Sequence, residues 1–458
     1  MNIVDLIFER HHGPEMAVIS PDGSLSYAGL EARMLETAHT LRSDAHWPRD
    51  ITRPRIGLHA PSGPDYIVLA LAILKAGACF VPIPSELTAS EQQELTERTA
   101  LHAVLSVEPG ARGMEPELRA LPSGPMPHAP CSRLNAAFIR FSSGTTARSK
   151  GVVISHETLL ARITAANEAL RIGTEDRVLW VLPMAHHFAV SIILYLYHGA
   201  TTILAPASDP AVMLRLMREH AATVMYGSPY HYTLLASQPE AAAMKNLRLA
   251  VSTAFALSQE VADLFHAKTG LHLTQGMGII EAGLPLLNLE HAATRPTSVG
   301  QPTLSFEVRL DDDGELLLRG PGLFDAYLSP WQPREAVLRD GWFPTGDIAE
   351  IDETGSIFLR GRVRSVINVG GMKCFPEEVE AVLTSHPSVK AARVLARPHA
   401  ALGFVPVAEI IAENGAEMSL VADLKKLCQQ RLSAYKVPLL ITFVSDLPLT
   451  ASGKVRRY

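Results

Sequence analysis

Apolar positions recur at helical spacing across 30–41, then give way to a short apolar run at 56–60. A mostly apolar segment of helical length, 65–76, and a second short run, 79–83, come next. Helix-period stretches alternating with short strands predict βαβ units, whose crossovers make the strands parallel. Strands are expected again at 177–182, 201–204, 223–226 and 247–251. Between 109 and 134 Pro, Gly and Ala dominate, and the pattern reads as a loop. The texture changes over 300–359. Alternating runs at 306–310 and 315–318 flank Asp312-Asp313-Gly314, the turn chemistry of an antiparallel, barrel-like region. After Gly361 it changes again, to helices at 376–383 and 420–432 and strands at 389–395 and 440–443. The pattern predicts an α/β protein in two parts, divided near Arg364. A large N-terminal domain, 1–363, holds βαβ subdomains plus a distorted β-barrel, and a small α+β C-terminal domain covers 364–458.

Composition narrows the function classes. The 458 residues carry a net charge of −6 with no basic stripe, which argues against a nucleic-acid partner. The four cysteines, Cys79, Cys131, Cys374 and Cys428, are scattered without a CxxC pair, as expected of reduced, idle thiols. The most apolar stretches, 66–74 and 189–197, are closed by Lys75 and His198. Both fall short of the ~18 residues a membrane span needs. An acid at Asp5 and no basic n-region argue against a signal peptide, so a cytoplasmic enzyme without a membrane span is expected.

The densest chemistry lies at 141–153, Phe-Ser-Ser-Gly-Thr-Thr-Ala-Arg-Ser-Lys-Gly-Val-Val, after an apolar lead-in at 136–139. Hydroxyls and free backbone N–H groups in such a loop can hold phosphate oxygens, and Lys150 adds a point charge. A Walker A loop needs Gly-Lys-Ser/Thr, whereas the order here is Lys150-Gly151-Val152. The loop resembles the phosphate-binding loop of the adenylate-forming superfamily, which holds acyl- and aryl-CoA synthetases, adenylation domains and luciferases. That family's pattern is Ser-Gly-Thr-Thr-Gly-x-Pro-Lys-Gly. Ser143, Gly144, Thr145, Thr146, Lys150 and Gly151 match it, while Ala147 and Ser149 replace Gly and Pro.

Further motifs follow in the family's order. Pro183-Met184-Ala185-His186-His187 is similar to the aromatic/His motif beside the acyl site. Gln275-Gly276-Met277-Gly278-Ile279-Ile280-Glu281 resembles Tyr-Gly-x-Thr-Glu, with Met277 and Ile280 as departures. Thr345-Gly346-Asp347, Gly361-Arg362-Val363-Arg364, Gly370-Gly371 and Gly453-Lys454 complete the set. The resemblance implies ATP and Mg²⁺ as cofactors. It assigns the phosphates to Ser142–Thr146 and Lys150, the metal to Thr146 and Glu281, and the nucleotide also to Gly276, Met277 and Gly278. Asp347 would accept from the ribose hydroxyls, and Arg362 would reach ribose and phosphate. Arg364 would be the hinge of a mobile C-terminal domain, Gly371 would line a thiol tunnel, and Lys454 would be the catalytic lysine, with His187 and Glu281 in the active site.

The expected reaction converts a small carboxylic acid to its acyl-AMP and passes the acyl group to a thiol, either of CoA or of the phosphopantetheine arm of an acyl carrier protein. No acidic residue lies in 183–197 to pair with an ammonium, which disfavours an amino acid. Ser252, Thr253, Ala254 and Phe255 stand where the resembled family has a Ser-Gly-Gly-Ala pocket segment, and the added bulk of Thr253, Ala254 and Phe255 favours a flat aromatic acid such as a hydroxybenzoate. Tyr230 and His187 are candidates to meet a ring hydroxyl. Fatty or short-chain acids remain an alternative. So do a non-catalytic nucleotide binder, to which Ala147, Ser149 and Ile280 would point, and a luciferase-type monooxygenase.

Overall fold

The helix Pro64–Lys75 is apolar on every side: all residues from Tyr66 to Leu74 are buried. Such a helix needs packing all round, and it has it. In this computed structural model it packs on the strand Met16–Ser20 of one sheet and on Arg55–His59 and Cys79–Pro82 of another. The helix His156–Leu170 lies between the same two sheets, against Ala136–Phe141 and Gly151–Ser155 on one side and Gly283–Leu287 on the other. The structure describes residues 1–21, 23–107, 116–122, 134–141, 150–206, 208–239, 244, 246–369, 372–399, 402–413 and 417–448.

Among the described residues the first sheet has nine strands. From Thr274–Ile279 through Leu249–Ser252, Val224–Gly227, Arg177–Trp180 and Thr201–Leu204 to Met16–Ser20, every neighbour is parallel. The second has eight strands, with Ala136–Phe141, Cys79–Pro82, Arg55–His59 and Ala103–Ser106 parallel at its centre. These are the βαβ units that the alternating pattern predicts. A four-stranded antiparallel sheet, Glu307–Leu310, Glu315–Arg319, Phe343–Ile351 and Ile357–Arg362, follows. Its last strand bridges to Gly300, beside the outermost strand of the first sheet. The predicted barrel is therefore an antiparallel sheet joined at one edge to the first sheet.

Beyond Arg362 a 3₁₀ turn, Val363–Ser365, leads to a separate sheet of five strands. A core of its own, from Ile367 to Ile441, lies under the helices Pro376–Thr384 and Glu417–Arg431. The large core runs from Ile3 to Ile357, so the chain is a large and a small α/β domain.

One local expectation needs correction, and one helix has no counterpart in the hydrophobic pattern. The stretch read as a loop contains a strand, Glu117–Ala120, paired antiparallel with Ala103–Ser106. It buries only Leu118, so it leaves almost no hydrophobic signature. The helix Ala89–Thr99 was not anticipated because Thr99 is its one buried residue; it starts with a capping box, Thr88 with Glu91. Among the described residues Cys79, Cys374 and Cys428 are buried and in no disulfide, and no helix is long and apolar enough to cross a membrane.

Candidate active site

Across neighbouring parallel strands Trp180 stands opposite Tyr226, Tyr226 opposite Val251, and Ser252 opposite Gln275. These residues lie near the carboxyl ends of their strands. The segments beyond, with His186 and His187, Tyr230, and Thr253 to Phe255, therefore emerge at one sheet edge, where open α/β sheets bind ligands. The second sheet brings its own carboxyl ends to the same place. Met184 N donates to Ser62 Oγ at 3.1 Å. Arg140, at the end of Ala136–Phe141, donates to the His186 carbonyl and, at 3.0 Å, to His186 Nδ1. A guanidinium only donates, so Nδ1 accepts and the proton sits on Nε2. From there it is donated to Glu86 Oε1 at 2.5 Å. Burial alone would raise the Glu86 pKa; the bond from His186 and the charge of Arg140 outweigh it and lower it. Burial pushes Arg140 down to about 10. This contact set joins the two sheets across the crevice.

A buried aromatic cluster lies beside it. Trp180 stacks on Tyr226 at 5.7 Å between centroids, and His187 meets Trp180 edge-on at 5.6 Å. The chain after His187 makes a π-helical turn, Phe188–Ile192, a geometry that recurs at functional sites. Tyr226, hydrogen-bonded to the Thr253 side chain and raised by burial to about 12, stays a neutral phenol. Among the described residues Ser252 Oγ is buried without a hydrogen-bond partner. Phe255 and Tyr230 are 45% and 61% exposed, in contrast to the buried Ser252 and Thr253. Ala254 has φ 72°, a left-handed conformation that costs a residue with a Cβ about 1–2 kcal/mol. Ala254→Gly removes that strain but gives the unfolded chain ~0.4–1 kcal/mol of extra freedom. A net gain of about 0.5 kcal/mol is expected, read as a higher denaturation midpoint; a lower midpoint would show that the Cβ packs usefully.

The nucleotide-side residues are held by backbone. A Cβ on Gly276 would come within 3.0 Å of Leu284 Cδ1 and 3.1 Å of Leu287 Cδ1, so glycine lets the antiparallel strand close there. Arg162 is buried in the inter-sheet helix. It donates to Ile280 O at 2.9 Å, Glu281 O at 3.2 Å and Gly322 O at 2.7 Å. Phe324 N also donates to Glu281 O, at 2.7 Å. Gly322 has φ 73°, and a Cβ there would lie 2.4–2.7 Å from Arg162 atoms, backbone included. Glu281 is thereby fixed against the strand Ala326–Tyr327, and Tyr327 Oη donates to its Oε1 at 3.1 Å. Lys150 Nζ sits 4.2 Å from the centroid of the Tyr327 ring. On the antiparallel sheet Asp347 pairs with Arg362, Nε to Oδ1 2.7 Å, and the side chains are 7% and 52% exposed. Gly346, at φ 75°, gives its N–H to Glu315 Oε1 at 2.9 Å, which shapes the turn that carries Asp347.

The fold thus brings His187, Ser252, Thr253, Glu281 and Lys150 to the facing sheet edges and pairs Asp347 with Arg362. Met277 is buried in its strand, and Gly278 is exposed. Ser142, Ser143, Gly144, Thr145, Thr146, Gly371 and Lys454 lie outside the described residues, as does the side chain of Arg364. Sequence reasoning chose His187, but His186 carries the polar network, and Arg140, Glu86, Arg162 and Tyr327 went unnoticed. No local pattern marks them. Their partners are 46, 100, 119 and 46 residues away.

Two α/β sheets with facing carboxyl edges, a hydroxyl- and lysine-bearing sequence between the strands Ala136–Phe141 and Gly151–Ser155, and a small domain after an Asp–Arg pair define the class of adenylate-forming ligases. The chain belongs to the AMP-binding enzyme family, whose model matches residues 8–328, and the family's C-terminal domain matches 378–454. It is an acid–thiol ligase of that family. It is similar to a feruloyl-CoA synthase of Amycolatopsis sp, 28% identical over 94% of this chain and 92% of the relative. A 2-succinylbenzoate–CoA ligase of Listeria monocytogenes is 31% identical over 70% of this chain and 69% of its own length. The crystal structure of ATP-bound MatB from Rhodopseudomonas palustris superposes with a TM-score of 0.84, at 25% identity, over 100% of this chain and 97% of that one.

Proposed function

We propose that the chain adenylates a small aromatic carboxylic acid at the expense of ATP and transfers the acyl group to the thiol of CoA. The aromatic cluster of Trp180, Tyr226 and His187 behind the segments that carry His187 and Thr253 carries this reading, because aromatic surroundings favour a flat ring. Two relatives named for aromatic acids, feruloyl-CoA synthase and 2-succinylbenzoate–CoA ligase, support it, and their names favour CoA over a carrier protein as acceptor. Ser252, Thr253 and Ala254 would wall the acid site, with Phe255 and Tyr230 further out and Tyr230 or His187 meeting a ring hydroxyl.

Attack of a carboxylate on the α-phosphate brings two anions together, so positioning and charge neutralisation dominate the catalysis. The 142–146 segment and Lys150 would hold the phosphates. Asp347 would accept from the ribose hydroxyls while Arg362 orients its carboxylate. A carboxylate backed by a phenol suits a hard cation, so Glu281 with Thr146 would hold Mg²⁺, which neutralises phosphate charge when bound. Lys454 would bridge the acid carboxylate and the α-phosphate. The turn at Arg364 would then let the C-terminal domain, 364–458, rotate so that Lys454 leaves and Gly371 approaches the thiol path.

Pyrophosphate release is the test, with Mg-ATP against benzoates, cinnamates, fatty acids and amino acids, followed by thioester analysis with CoA or a holo carrier protein. Release with the aromatic acids and a CoA thioester is expected. Turnover of C12 acids with none of the aromatic ones would overturn the substrate class, and a thioester formed only on the carrier protein would overturn the acceptor.

A further inference from the structure

We propose that a small polar cavity behind the aromatic cluster is the inner end of the acid site, where Tyr195 and Ser191 select an uncharged hydroxyl on the ring of the acid. The inference rests on the reading of the substrate as an aromatic acid and names the kind of ring. The cavity is about the size of one water molecule, and Ser191, Tyr195 and Tyr226 line it together with Leu194 and Leu284. Tyr195 is 1% exposed, and among the described residues its Oη has no hydrogen-bond partner. Ser191 approaches that hydroxyl without the geometry of a hydrogen bond. A buried hydroxyl left unpaired is costly, and few native side chains stand so. The cost has a use where the missing partner arrives with a ligand.

The chain sets the place. Ser191 lies in the π-helical turn Phe188–Ile192, directly after His187, and Tyr195 lies one turn further on in the helix Ile193–Tyr197. Residues so spaced share a helix face, and here that face is the cavity wall. The Tyr195 ring meets Trp180 edge-on at 6.0 Å between centroids. Tyr226 lines the cavity and is hydrogen-bonded to the Thr253 side chain, so one aromatic residue links the cavity to the segment that would wall the acid. Among the described residues no charged side chain lines it. A phenolate or a second carboxylate would therefore lose its hydration without compensation. Burial keeps Tyr195 and Tyr226 neutral phenols. The hydroxyls of Tyr195 and Ser191 can each donate or accept, so between them they satisfy a ring hydroxyl in both roles. A methoxy group is too large for the space and has no proton to donate.

The experiment measures pyrophosphate release by the full-length protein with benzoate, meta- and para-hydroxybenzoate and para-methoxybenzoate. The parent enzyme is expected to prefer one hydroxybenzoate to both benzoate and the methoxy acid in kcat/KM. Tyr195→Phe, which removes one oxygen and keeps the ring, is expected to cut that preference about tenfold, the effect of one buried hydrogen bond. Its denaturation midpoint should hold or rise, because the lost hydroxyl had no partner. Ser191→Val, which fills the cavity, is expected to abolish the preference. No preference in the parent enzyme, an unchanged preference in Tyr195→Phe, or an equal loss on benzoate and the hydroxy acids would overturn the proposal. So would a lower midpoint in Tyr195→Phe, which would show the hydroxyl already paired within the protein. If the parent enzyme releases pyrophosphate only with aliphatic acids, the aromatic reading fails. The cavity is then judged by the same preference, hydroxylated over plain aliphatic acids, in the parent and in Tyr195→Phe.

Discussion

Lys454→Ala is expected to cut pyrophosphate release about a thousandfold, roughly 4 kcal/mol of transition-state stabilisation. The reason is local charge. A carboxylate approaching the α-phosphate meets like charge, and a bridging ammonium is the group that removes the repulsion at the reacting atoms. The second half-reaction should survive. Pre-formed acyl-adenylate plus CoA should still give thioester with this variant, because Lys454 would by then have left the site. Pyrophosphate release within about tenfold of the parent enzyme would refute the assignment. Loss of both half-reactions together would indicate a folding defect instead.

The second large effect belongs to Arg162. Its guanidinium binds three carbonyls, from Ile280, Glu281 and Gly322, and burial pushes its pKa down to about 10. Two consequences of Arg162→Met oppose each other. Removing a buried cation relieves its desolvation, but Ile280 O and Gly322 O lose their side-chain donor at about 1–3 kcal/mol each. Glu281 O keeps the N–H of Phe324. A net loss of about 2–4 kcal/mol is expected, read as a lower urea midpoint. The Glu281 and Tyr327 segments would also lose their common anchor, so activity should fall even below the unfolding transition. Arg162→Lys should be intermediate, since one ammonium cannot span three carbonyls in the fork geometry of a guanidinium. An unchanged midpoint in the methionine variant would show that desolvation relief wins.

Much of the framework was legible because burial on two faces leaves a plain signal. The strand at 201–204 is fully buried between layers, and the expected and observed limits coincide at Thr201–Leu204. The helix expected at 65–76 is observed as Pro64–Lys75. The edge strand Glu117–Ala120 and the polar helix Ala89–Thr99 each bury one residue, so hydrophobic period could not find them. For the helix, the Thr88–Glu91 capping box was a usable signal that went unread. The site was legible only where chemistry is local. A run of hydroxyls, glycines and a lysine stands out, whereas Thr345-Gly346-Asp347 gains meaning only from its order among the other motifs. Two adjacent histidines do not say which one turns toward Arg140 and Glu86. That depends on how the two sheets meet, as does the seating of Glu281 under a tyrosine 46 residues downstream.

The staple of Arg140, His186 and Glu86, together with the Arg162 anchor, locks framework residues to one another. The side chains that would face the acid stand on short segments beyond the strand ends, at Thr253 to Phe255 and at Tyr230. For a gene copy released from its original task, these are separable targets. Substitutions at exposed positions such as Tyr230 and Phe255 typically move stability by only about ±0.5 kcal/mol, so acid preference can drift through them while adenylation persists. Changes at Arg140 or Arg162 disturb the framework before they can alter selectivity. The fold thus predicts where selection for a different acid would leave its substitutions, and where it would leave none.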